Sequence, residues 1–364
     1  MVKNNKRMID DNIRLVLAMT IIIIVMIILL PFVFLDKNGS SNKFELNNNN
    51  IITSSAIQFP KNGKVKLYNS ESNSAEEIDL EEYIMGVVAS EMPANFNEEA
   101  LKAQAVAART FYINRRNNKC SNASSHNAEI CDTVHCQVYM DKNKRLSLWN
   151  SKDAEKNWNK IEKAVMDTKG QVLTYNGEVL EYPQYFAVSF GKTEEAMDVL
   201  SIDIPYLKST DSKGEEIAPK FKSTKQMSAE EFISEIKKKY PNVDIRTENI
   251  KEGIYVEKYN KSGSVNIIKV GGISIKGSEF RKLFNLNSTY FTLDIRDDIV
   301  TMSCTGYGHG IGMSQWGANV MGKNGYTYID ILKHYYSGIE VEKLEYNSPL
   351  SLHNIINCFN KINY

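Results

Sequence analysis

The chain has 364 residues, enough for one large domain or two intimate lobes beyond an anchor. Its 44 Lys plus Arg balance 44 Asp plus Glu, which excludes a generic polyanion binder and predicts no nucleic-acid partner. Five cysteines, an odd number, cannot all pair within one chain.

From Leu15 to Leu35 the sequence is apolar and uncharged, with Lys3, Lys6, Arg7 and Arg14 before it and Asp36 after. At ~1.5 Å per residue this run matches a hydrocarbon core of roughly 30 Å. The basic flank predicts a cytoplasmic tail (1–14), a transmembrane anchor (15–35) and an extracytoplasmic remainder. A cleaved signal peptide is the competing reading. However, the run exceeds a usual h-region and no small-residue cleavage pattern follows it. Residues 36–57, rich in Asn and Ser, read as a flexible tether. The folded domain then runs over 58–364.

KVKLYN (64–69) alternates like a strand, and the polar SESNSAEE after it reads as a turn. Leu80, Ile84, Val87 and Val88 share one helical face, with Asp79 as N-cap, Glu82 as its capping-box partner and Pro93 as stop. Asn97 caps a second, alanine-rich helix, whose small side chains predict a central position. WNKIEKAVMDTKG gives a third helix, and QVLTYNGEVLEYPQYFAVS a hairpin turning on Asn176-Gly177. A helix over 228–240 follows, then strands at GIYVEKYN, VNIIKVGG and YFTLDIRDD, and a last helix ending at Gly338. Helices come early and strands late, so the fold class is α+β. Two lobes are expected, the second over about 215–300, with a groove between them.

Three islands carry chemistry. Glu91 ends an apolar helix, where the dipole and apolar neighbours disfavour its carboxylate and should raise its pKa. A raised carboxyl pKa suits a general acid, whereas a surface Glu beside a proline turn is the bland alternative. GYGHGIGMSQWGA (306–318) leaves the backbone bare at alternate residues, with His309, Ser314, Gln315 and Trp316 as polar and aromatic contacts. A phosphate loop competes, but no Lys-Ser/Thr follows the glycines. Trp316 and Tyr307 suit either sugar stacking or core packing.

The third island, Cys120 to Cys136, interleaves cysteine and histidine and predicts a closed structural Zn²⁺ site. His126, Cys131, His135 and Cys136 are the favoured ligands, with Cys120 in reserve, because adjacent ligands at 135 and 136 strain the geometry. A disulfide is the competing reading outside the cytoplasm. Cys304 and Cys358 lack ligand neighbours and read as buried thiols.

Together these islands resemble the stage II sporulation protein D family, membrane-anchored lytic transglycosylases of endospore-forming bacteria. LEEYIMGVVASEMPANFNEEALKAQAVAARTF is similar to the family's signature helix pair. GYGHGIGMSQWGANVMGKNGYTYIDILKHYYSGIE is similar to its second signature, and IPYLKST (204–210) to a shorter third. CDTVHCQVY is similar to a zinc-binding segment of clostridial members. The resemblance implies Glu91 as catalytic acid/base, cutting between N-acetylmuramic acid and N-acetylglucosamine in strands stripped of stem peptides. It also implies an amidase partner, stage II sporulation protein P, and a membrane scaffold, stage II sporulation protein M, during forespore engulfment at the mother-cell membrane.

The chain departs from the family at FAVSFGKTEEA (186–196). There Ser189, Gly191 and Thr193 match the usual strand end, but Ala187 and Lys192 replace a His and a Gly. Ser189 is carried as a substrate contact with His309, Ser314 and Gln315. Two other readings remain open at this point: a non-catalytic glycan-binding scaffold for an amidase, and a hydrolase using Asp198 or Asp203 as second carboxylate.

Overall fold

Two main hydrophobic cores organise the described residues: the second lies within 229–304, and the first joins the segments on either side of it. The computed structural model describes Pro60 and residues 63–344; the segment 15–35, the tether and Cys358 lie outside them. Among the described residues no helix is long and apolar enough to cross a membrane.

The first core is built by β1 (Lys64–Asn69), β2 (Ser74–Asp79), α1 (Leu80–Glu91), α2 (Glu98–Arg115), α3 (Ser121–Ser125), β3 (Ile130–Cys131), α4 (Lys142–Leu148), α5 (Ala154–Asp167), β4 (Gln171–Tyr175) and β5 (Glu178–Val179). Asp79 caps α1 through the Glu81 and Glu82 amides, and Asn97 caps α2 through Glu99. As its alanines predict, α2 is central: Ala100, Ala103, Ala105, Ala107 and Ala108 are all fully buried, and α1, α5 and β4 pack on it. Arg109 of α2 is also fully buried. It grips Glu81 of α1 bidentately (Nε–Oε1 3.1 Å, Nη2–Oε2 2.5 Å) and donates to the Gln171 carbonyl, so one ion pair ties α1, α2 and β4 together.

Of the segment expected as a polar turn, 70–73 is the turn, but 74–77 opens β2, antiparallel to β1 from Lys64–Asp79 to Asn69–Ser74. Its side chains are mostly solvated, so no apolar alternation marks it in the sequence. The Asn176-Gly177 hairpin is present, with Asn176 and Gly177 at φ +52° and +81°, but its return strand is only β5. Beyond it the chain leaves as β6 (Tyr185–Phe186) and α6 (Ala196–Leu200).

The second core comprises β7 (Lys222–Ser228), α7 (Ala229–Lys239), α8 (Ile250–Gly253), β8 (Ile254–Tyr259), β9 (Val265–Val270), β10 (Ile273–Lys276), α9 (Gly277–Leu283), β11 (Phe291–Arg296) and β12 (Ile299–Thr305). Two three-stranded antiparallel sheets, ordered β10-β9-β8 and β11-β12-β7, enclose Phe232, Phe280, Phe284 and Phe291. Ser228 and Glu231 form the capping box that starts α7. Cys304 is buried here, as expected of an unpartnered thiol. This core runs from Ala229 to Cys304, whereas Glu215, inside the second lobe expected from sequence, is bonded to residues of the first body. The chain then returns through β13 (Met313–Ser314), α10 (Gln315–Lys323), α11 (Tyr328–Tyr335) and β14 (Glu340–Lys343). β13 pairs parallel with β6, and β14 pairs antiparallel with β4.

Candidate active site

Glu91 is the last residue of α1 and lines a cleft of about 750 Å³ with Met92, Asn95, Arg145, Trp149 and Asp153. Pro93 prevents a further helical turn and redirects the chain, which leaves the carboxyl at the rim. The Gln315 amide donates to it (Nε2–Oε2 3.1 Å). Burial pushes the Glu91 pKa up, against hydrogen bonds from Gln315 and Val138 that pull it down. Glu91 and Gln315, both singled out in the sequence, are thus brought together by the fold.

The far wall of the cleft differs from the expected one. Arg145, Trp149, Asp153 and Lys156 come from α4, α5 and the turn between them, all in the first body; the second core contributes no lining residue. This cleft is therefore lined from the first core and its connecting turns. Nothing in the sequence around Arg145 marked it, because α4 is short and exposed and meets α1 only through tertiary packing.

The glycine segment is built by conformation. Gly306, Gly308, Gly310 and Gly312 all have positive φ. At Gly312 (φ +76°) a Cβ would lie 2.0 Å from the Gln184 carbonyl oxygen, so only glycine permits the β6–β13 approach. That approach puts Gln315, at the start of α10, against Glu91. Ser314 caps α10 through the Gly317 amide and is fully buried.

Ser314 does not face the cleft. Its hydroxyl donates to Glu215 Oε2 (2.7 Å), which also accepts from the Ser189 amide (2.8 Å), while Ser212 donates to Oε1. Ser189 is itself fully buried, with its hydroxyl donating to the Lys192 carbonyl. Both serines expected as substrate contacts thus hold Glu215, whose pKa burial pushes up to about 7 despite three donors. Sequence reasoning missed Glu215, since a carboxylate in SKGEEI resembles any solvated surface pair.

His309 is half-buried, and burial, with the Arg281 charge, pushes its pKa down to about 4, so the ring is neutral at pH 7. Nδ1 accepts from the Ile311 amide (3.2 Å) and the ring also bonds the Tyr185 backbone. The first contact stays within the glycine segment and the second fastens it to β6. The Tyr185 hydroxyl accepts from Gln137 (2.9 Å), which in turn accepts from Tyr83 (3.1 Å), and the Glu91 charge is felt at Tyr185. Trp316 packs edge-on against Phe96 at 4.8 Å, the core option of the two, and Tyr307 lies under the Lys220 ammonium.

The metal expectation is corrected in its ligands. The sulfurs of Cys120, Cys131 and Cys136 lie within 4.8 Å of one another, with Cys120 and Cys131 at 3.5 Å. Three vertices of a tetrahedron at ~2.3 Å from Zn²⁺ are about 3.8 Å apart, so these thiols fit one face of such a site. Cys120, the reserve, belongs to the cluster because it caps α3 with its sulfur accepting from the Ala123 amide. His126 and His135 do not join it. The His126 ring stacks on Tyr68 (3.9 Å) with Nδ1 2.8 Å from the Asn122 carbonyl oxygen, and His135 is exposed, next to Asn122. None of the four described cysteines is in a disulfide.

A family model described as stage II sporulation protein matches residues 68–175, which include α1 with Glu91, α2 and the cysteine cluster. The stage II sporulation protein D of Bacillus subtilis is 36% identical over 281 residues, covering 77% of this chain and 79% of that protein. The chain belongs to the stage II sporulation protein D family. Its counterpart in Bacillus amyloliquefaciens is 35% identical over the same shares. A Bacillus subtilis protein named amidase enhancer is 33% identical over 304 residues, covering 70% of this chain but 39% of that longer protein. Family membership agrees with the geometry at the signature helix pair, α1 and α2. The Asp198 and Asp203 carboxylates of the hydrolase reading stand apart from Glu91. Asp203 pairs with Lys208, and Asp198 borders a separate cavity of about 290 Å³.

Proposed function

We propose that this protein is a lytic transglycosylase that cuts peptidoglycan glycan strands between N-acetylmuramic acid and N-acetylglucosamine, with Glu91 as its single acid/base. The supporting observation is one carboxyl, disfavoured as an anion by burial, at the edge of an open cleft and held by the Gln315 amide. A protonated Glu91 delivers its proton to the glycosidic oxygen as the bond to the anomeric carbon breaks. The resulting carboxylate then takes the proton of the muramic C6 hydroxyl as that oxygen closes on the anomeric carbon. The products are a free 4-hydroxyl and a 1,6-anhydro end; no water is consumed, and Glu91 returns protonated. Gln315, as a neutral donor, fixes the carboxyl in both states without abolishing its basicity.

The proposal includes a membrane anchor at residues 15–35 with the remainder outside the cytoplasm, in the mother-cell membrane. It also includes denuded strands supplied by an amidase of the stage II sporulation protein P type and scaffolding by stage II sporulation protein M. A structural Zn²⁺ on Cys120, Cys131 and Cys136 belongs to the same reading and would pin α3 and β3 to the loop that carries Gln137.

The test is mass spectrometry of products from denuded strands, comparing the protein with Glu91→Gln. Anhydro ends from the first and none from the second support the proposal. Hydrated reducing ends would replace it with a hydrolase, in which Asp153, the other carboxylate in this cleft, becomes the base. A second reading, a glycan-binding enhancer of an amidase without turnover, is favoured by the name of one relative. It predicts no cleavage by either protein and amidase stimulation by both.

A further inference from the structure

The cleft beside Glu91 is lined by Arg145, which among the described residues has no carboxylate partner. Arg145 lies against Trp149, its guanidinium carbon 4.6 Å from the ring centroid, and its Nε is buried without an acceptor. Burial also disfavours its charge, and no carboxylate among the described residues offsets this. Lys156, exposed on α5, lines the same cleft. Nε itself is covered, so a ligand would meet the rest of the guanidinium, whose charge no carboxylate among the described residues neutralises.

The opposing charges in the cleft are Glu91, which burial biases toward its neutral form, and the exposed Asp153. Neither is bonded to Arg145. A guanidinium carries N–H donors of the kind that match a carboxylate, and Trp149, which packs against this one, lines the same cleft.

We propose that Arg145, backed by Trp149 and assisted by Lys156, is a carboxylate subsite that receives the free lactyl carboxylate of a muramic acid lacking its stem peptide. This rests on the glycan reading of the cleft and deepens it. In a peptide-bearing muramic acid the same carbonyl is an amide, which has no charge and carries a chain. Selection for stripped strands is then a property of this cleft, because only the stripped form brings an anion to the Arg145 and Lys156 charges. The subsite distinguishes substrates and takes no part in proton transfer.

Two sets of glycan strands of equal length provide the test, one with free lactyl carboxylates and one with those groups converted to the carboxamide. Binding is measured with full-length protein carrying Glu91→Gln, so that no strand is consumed, and cleavage separately with Glu91 intact. Preference for the carboxylate strands by about tenfold or more is expected, the usual range for a charged hydrogen bond. Arg145→Met should bring the ratio of the two affinities close to one. Arg145→Lys should keep part of it, and Lys156→Met should reduce it by a smaller factor. A merely structural Arg145 would weaken both strands equally and leave the ratio unmoved.

An unchanged ratio in Arg145→Met, no preference in the starting protein, or no binding of either strand would each overturn the subsite. Should Arg145→Met not fold, the Arg145→Lys and Lys156→Met ratios decide. Absence of anhydro products with a binding ratio that depends on Arg145 would instead remove the transglycosylase and leave the subsite standing.

Discussion

Glu215 is the strongest test of the electrostatics read from this fold. It is 1% exposed, accepts from the Ser189 amide and the Ser212 and Ser314 hydroxyls, and still has its pKa pushed up from 4.5 to about 7. The native state therefore binds a proton here that the unfolded chain has released between these two values. Stability from this group is full below about pH 4.5, falls as pH rises through 7, and is level above that. The span corresponds to about 3 kcal/mol at ~1.4 kcal/mol per pH unit. Glu215→Gln keeps the shape and cannot ionise. Its amide oxygen can accept from Ser189 and Ser314, while its NH₂ donates to Ser212, whose hydroxyl turns to Tyr335. Denaturant unfolding of both proteins at pH 4.5, 6 and 7.5 isolates this group, since all other titrations cancel in the difference. The variant should gain about 3 kcal/mol relative to the starting protein between the extremes. A difference that stays flat across this range would mean that the three donors hold Glu215 ionised throughout, and the burial argument would fail.

Three further outcomes are expected. Arg109→Met removes the counter-charge of buried Glu81 and should lower unfolding free energy by about 3–5 kcal/mol, read from denaturant midpoints. Gly312→Ala drives a Cβ against the Gln184 carbonyl at positive φ and should destabilise by about 1–3 kcal/mol; under the proposed function, cleavage should fall as Gln315 shifts. Gln315→Leu withdraws a hydrogen bond that lowers the Glu91 pKa, so the alkaline limb of the cleavage–pH profile, where the acid form is lost, should move to higher pH; a limb moving down would contradict the assignment.

Local signals in the sequence were sufficient for much of this molecule. Asp79, Asn97 and Ser228 cap their helices, the alanine face of α2 is the centre of the first core, and the hairpin turns on Asn176-Gly177, because capping, helical periodicity and turn chemistry act over a few residues. Glu91 and Gln315 stood out in their islands, one at the end of an apolar helix and the other after alternate glycines, and the fold brings them together. Strands β2, β7 and β12 were not legible, since their exposed faces carry polar side chains and their pairing is set by distant partners.

Ligand choice and the direction of a side chain were decided only in three dimensions. Spacing along 120–136 favoured two histidines with two cysteines, but α3 turns Cys120 inward while Tyr68 and Asn122 engage His126. The serines at 189 and 314 and the ring of His309 looked available for substrate, yet burial commits them to Glu215 and to the β6 backbone. Sequence thus determined which residue types were present and which local elements they form. Which polar groups face solvent, and which must satisfy one another in the interior, depended on packing between segments far apart in the chain, where an unpaired buried group is too unfavourable to leave.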